Sequence, residues 1–81
     1  MSKYDPLTKY LMSQPAGVPI TLTFAQLQRI LGFTLPRSAC VHPAWWANET
    51  NPATRHRHCL SWLGAGRKAS ANLNRQIATF T

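Results

Sequence analysis

Apolar positions along the chain switch repeatedly between helical and strand spacing, and the switches mark out its elements. Leu7, Tyr10 and Leu11 stand at i, i+3 and i+4, predicting one helical stripe that runs through about Met12. Asp5-Pro6 ahead of it offers a capping carboxylate and a proline preorganised for the first turn. Gln14-Pro15-Ala16-Gly17 breaks the pattern, and the β-branched stretch Val18 to Leu22 reads as a brief strand. Thr23 and Gln26 form a capping-box pair, after which Phe24, Leu27, Ile30 and Leu31 keep helical spacing until Gly32. A short helix then starts near Pro36 and ends or kinks at Pro43. Asn51-Pro52 launches a further helix through Leu63, with Cys59, Trp62 and Leu63 on its inner side and Gly64 and Gly66 stopping it. Alternation returns from Ala69 to Phe80 around Asn72-Leu73-Asn74, the mark of a β-hairpin.

This order predicts one α+β domain over residues 1–81. Its arrangement is that of a small winged helix–turn–helix-like domain, with a short early strand and a C-terminal β-hairpin, the early strand pairing with the hairpin. Hydrophobic residues make up 44% of the 81, enough for a core without disulfide staples. Cys40 and Cys59 make no Cys-x-x-Cys pair and read as free thiols of a reducing compartment.

Charge changes the picture more than any other property. Nine Lys/Arg face only Asp5 and Glu49, giving a formal charge of +7. So few acids leave most cations without partners, and the resulting field favours phosphate polyanions. No apolar run approaches the roughly 20 residues needed to span a bilayer, so a membrane partner is not expected. The start Met1-Ser2-Lys3-Tyr4-Asp5 lacks an apolar signal region, which places the protein in the cytoplasm.

The candidate chemistry is that of binding. Arg37 and Ser38 open the second helix of the predicted pair, with Val41 following, where base edges and phosphates come within reach. In Ala44-Trp45-Trp46-Ala47-Asn48 one indole is expected in the core and the other partly exposed for stacking on a base, with Asn48 able to pair with adenine. Arg55, Arg57, Arg67 and Lys68 are candidate phosphate neutralisers, and Arg75 follows the hairpin turn. Each of these has a plain alternative, as core filler or as solvated surface. Cys40, His42, His56, His58 and Cys59 are metal-ligand types, but their spacing matches no standard zinc site, so neither a metal nor a cofactor is expected. With two carboxylates, no orienting acid and no nucleophile elbow, an enzyme is not expected.

Several stretches together resemble a widespread small bacterial domain family of unknown function, found in stand-alone proteins of chromosomes, plasmids and phages. They are Tyr4-Asp5-Pro6-Leu7, Thr23-Phe24 through Ile30-Leu31-Gly32, Leu35-Pro36-Arg37-Ser38-Ala39, Trp45-Trp46-Ala47-Asn48, Trp62 with Gly66, and Ile77-Ala78-Thr79-Phe80. The resemblance implies one compact α+β domain. Cys40 stands where that pattern has Arg, and Arg67-Lys68 replaces the aromatic expected after the glycine.

The expectation is therefore a small non-enzymatic DNA-binding protein, most simply of double-stranded DNA, acting as a regulator or accessory factor of a mobile element. About four to six phosphate contacts would give a salt slope of roughly 0.9 per contact. Two other readings stand beside it: a protein-interaction module (inhibitor, antitoxin-like or anti-defence protein), and a single-strand or RNA binder. A homodimer or protein partner is left open.

Overall fold

A computed structural model describes residues 2–49 and 57–81, with Arg57 described by its main chain alone. Helix α1 spans Asp5–Met12 and buries Leu7 and Leu11. Asp5 is its first residue rather than its cap. The Asp5 carboxylate accepts from the Ser2 amide at 3.1 Å, and the Asp5 amide donates to the Ser2 carbonyl at 3.0 Å. Tyr4 precedes the helix without capping it through a side chain.

Strand β1 covers Ile20–Thr23, two residues later than the β-branched run suggests. Pro19 offers no amide for a ladder, and the Val18 carbonyl accepts from the Arg67 guanidinium. Helix α2, Phe24–Leu31, opens with the predicted capping box: Gln26 donates its amide to Thr23 Oγ1, and Gln26 Oε1 accepts from the Thr23 amide. It closes at Gly32 with φ +82°. The Gln28 side chain then accepts from the Leu35 amide at 2.9 Å, fixing the turn into α3, Arg37–Val41. Pro43 does not continue that helix. It starts a 3-10 turn, Pro43–Trp46.

The predicted start of the next helix, at Asn51-Pro52, lies outside the described residues. The described part is a 3-10 turn, Arg57–Cys59, followed by α4, Leu60–Leu63. Cys59 and Trp62 are buried and Leu63 is half-buried, on the side expected. Strands β2, Ala69–Asn72, and β3, Ile77–Phe80, form the hairpin. The sheet is antiparallel in the order β1-β3-β2, with Ile20 and Ala69 both opposite Phe80. Phe80 and Ala78 are fully buried on the face covered by the helices. Leu11, Leu27, Trp46 and Trp62 complete one core beneath them. The fold is thus a small α+β domain, with four α-helices and a three-stranded antiparallel sheet among the described residues.

Candidate nucleic-acid interface

Helix α3 makes little more than one turn, so its outer face is narrow. Arg37 and Val41, four residues apart, are exposed; Ser38 is half-buried; Ala39 is fully buried. The helix is anchored from behind by Trp46, whose Nε1 donates to the Ala39 carbonyl at 2.8 Å. Val41 and Pro43 form one wall of a groove of about 590 Å³, and the outer face of the hairpin, with Ser70, Leu73, Ile77 and Thr79, forms the other. Helix α3 and the hairpin therefore open onto one groove. No acidic side chain lines it. Lys68 precedes β2, and Arg75 sits in the hairpin turn with its amide on the Asn72 side chain; both are exposed.

Three predicted contact residues are instead committed to the fold. Trp46 is 4% exposed, stacked on Phe24 and Trp62 at centroid distances of 5.3 and 5.8 Å. An indole so enclosed offers no face to a base. Asn48 holds the chain to two distant elements: its Oδ1 accepts from Trp62 Nε1 and from the Ala69 amide, both at 2.8 Å, and its Nδ2 donates to the Ala69 carbonyl at 3.1 Å. That amide pairs with Ala69 as a neighbouring strand would, so it is not free to pair with adenine. Arg67 is 5% exposed. Its Nη1 donates to the Val18 and Phe80 carbonyls and its Nη2 to the Pro15 carbonyl. Burying a guanidinium costs several kcal/mol, which three charge-assisted bonds of about 1.5–3 kcal/mol each can offset. Arg67 is a staple between the α1–β1 loop and β3, not a phosphate contact.

Trp45 is half-buried and meets the other two tryptophans edge-on or tilted, so one indole of the pair is indeed in the core and its neighbour at the rim. His58, itself buried, stacks on Trp45. Arg55 and His56 lie outside the described residues, as does the side chain of Arg57. Sequence reasoning passed over Lys3, which stands 4.9 Å from the Phe33 ring and 5.5 Å from Tyr4. The Tyr4 and Phe33 rings meet edge to face at 5.4 Å. A cation next to an aromatic in sequence carries little signal; the pairing with Phe33 needs the fold. Desolvation raises the Tyr4 phenol above its ordinary value of 10.0.

Among the described residues, Lys3, Lys9, Arg29, Arg37, Lys68 and Arg75 are all exposed. No three His, Cys, Asp or Glu among them converge as metal ligands, and Cys40 and Cys59 form no disulfide with each other. No helix among them is long and apolar enough to cross a membrane.

Comparison with curated proteins and with solved structures gives no match. The profile of the domain of unknown function DUF7662 matches residues 4–79, from Tyr4 beside Phe33 to Thr79 on the groove. The chain belongs to that family.

Proposed function

We propose that this protein binds double-stranded DNA on the face where α3 and the hairpin open onto one groove. That shared groove is the observation that carries the reading. It supports it because a winged helix–turn–helix domain needs its second helix and its hairpin on one side of the molecule, and the order β1-β3-β2 is the one such a domain would use. Arg37 on the helix and Lys68 and Arg75 on the hairpin would meet phosphates, with Ser38 beside Arg37. A helix this short presents few side chains, so binding would rest on the backbone more than on bases. The role of regulator or accessory factor of a mobile element is proposed from the sequence resemblance alone.

The test is a fluorescence-anisotropy series on a short labelled duplex, its single strand and the matching RNA, between about 50 and 200 mM salt. Duplex binding that weakens steeply with salt supports the proposal, and affinity independent of salt defeats it. Preference for single strands would favour stacking on the half-buried Tyr4 and Phe33 beside Lys3 instead.

A further inference from the structure

Of the three asparagines among the described residues, two are spent on the fold. Asn48 holds Trp62 and Ala69, and the Asn72 Oδ1 accepts from the Arg75 amide. The Asn74 side chain makes no hydrogen bond to any described residue, and Asn74 is exposed. It lies in the turn joining β2 to β3 and lines the groove shared with α3. That turn is pinned. The Gln76 amide donates to the Leu73 carbonyl at 3.2 Å, and the Gln76 carbonyl accepts from the Phe24 amide at 2.9 Å. Gln76 itself is left-handed at φ +52°, a region that residues other than glycine enter at a cost. A side chain carried on so constrained a turn has little main-chain freedom left to lose on binding. Charge is divided in a matching way. None of the residues lining the groove is charged, whereas Arg75 adjoins Asn74, Lys68 precedes β2 and Arg37 stands one turn before Val41. An uncharged strip with cations beside it complements a duplex, whose neutral base edges lie between two anionic backbones. Helix α3 exposes only Arg37 and Val41, so little else on this face can tell one base from another.

We propose that Asn74 reads adenine in the major groove of bound duplex DNA, its Nδ2 donating to adenine N7 and its Oδ1 accepting from the N6 amino group. This role rests on the DNA-binding reading above and adds to it the base that is discriminated. A carboxamide offers one donor and one acceptor side by side, which adenine matches and guanine, with two acceptors on that edge, does not. Arg37, Lys68 and Arg75 meet phosphates and set affinity, while the neutral Asn74 sets preference.

The native chain and Asn74→Ala are compared on three duplexes of equal length: one of A·T pairs alone, one of G·C pairs alone, and the A·T duplex with 7-deazaadenine in place of adenine. The modified base keeps its Watson–Crick pairing and lacks the N7 acceptor. The native chain should prefer the first duplex by about fivefold or more over each of the others. Asn74→Ala should bring all three within about twofold of one another. Its melting temperature and salt slope should stay as they were, because an exposed, uncharged side chain has been removed. Equal affinity of the native chain for the three duplexes, with a steep salt dependence, overturns the role of Asn74 and leaves duplex binding standing. So does an A·T preference that survives in Asn74→Ala. Absence of duplex binding by the native chain overturns both.

Discussion

The indole of Trp45 lies flat against the imidazole of His58, with ring centroids 3.9 Å apart and planes 1° from parallel. The same His58 reaches back through Nε2 to the Trp45 carbonyl at 2.6 Å. One face of this half-buried indole is thus already occupied by the protein's own ring. Trp45→Ala should lose stability by about 2–3 kcal/mol, below the cost for a fully enclosed tryptophan. Measured well below its melting temperature, the variant should keep duplex affinity within about threefold. A larger loss in binding than in stability would return Trp45 to the contact surface.

Asn48 supplies three hydrogen bonds from one exposed position. Asn48→Ala leaves the Trp62 indole N–H and both polar groups of Ala69 without it, at about 1 kcal/mol per bond. The expected loss in denaturant unfolding is about 2–3 kcal/mol, with duplex binding of the folded fraction unchanged. Weaker binding without destabilisation would contradict the structural role.

Arg37→Ala and Arg75→Ala should leave the melting temperature nearly unchanged, since both side chains are exposed. Each should flatten the salt dependence of duplex binding by about 0.9 in log–log slope. With Arg37, Lys68 and Arg75 as contacts the described residues account for a slope of roughly 2.7. A variant that alters affinity without altering that slope would mean contact with something other than phosphate.

Tyr4 gives an alkaline signature. Its phenol is raised by desolvation, so the folded state holds its proton more tightly than the unfolded one. Stability from this source is complete below the ordinary value of 10.0 and fades as pH rises through the folded value. Thermal unfolding followed above about pH 10 should fall more steeply for the native chain than for Tyr4→Phe.

Gly32 turns α2 into α3 with φ +82° and has open space where a Cβ would stand. Gly32→Ala should therefore cost about 1 kcal/mol through backbone conformation alone, without a clash. A loss of 3 kcal/mol or more in urea would point instead to a rearranged helix pair.

What could be read in advance was local. The Thr23–Gln26 box, the left-handed Gly32 and the hairpin each depend on residues within a few positions, and their chemistry is fixed at that range. Asn48 and Arg67 are residue types that suit a surface, and the sequence leaves open which of Trp45 and Trp46 lies in the core. Their partners instead lie far off in sequence: Asn48 meets Ala69 21 positions away, and Arg67 meets Pro15 52 away. Trp46 stacks on Phe24 and Trp62, from elements on either side of it in the chain. Only the tertiary arrangement could show that these polar atoms were already engaged. The shift of β1 past Pro19 was legible in principle, since the missing amide is a property of the residue itself.

The central position of β3 has a consequence for how the molecule assembles. Both other strands pair with Ile77–Phe80 and not with each other, so no part of the sheet can zip up until that segment is present. During synthesis the helices near the start could collapse early, while β1 waits for a partner more than fifty positions downstream. Closing so long a loop is slow compared with forming a helix. Cleavage before Ile77 would leave both outer strands unpaired at once, with the apolar surface they normally cover open to aggregation.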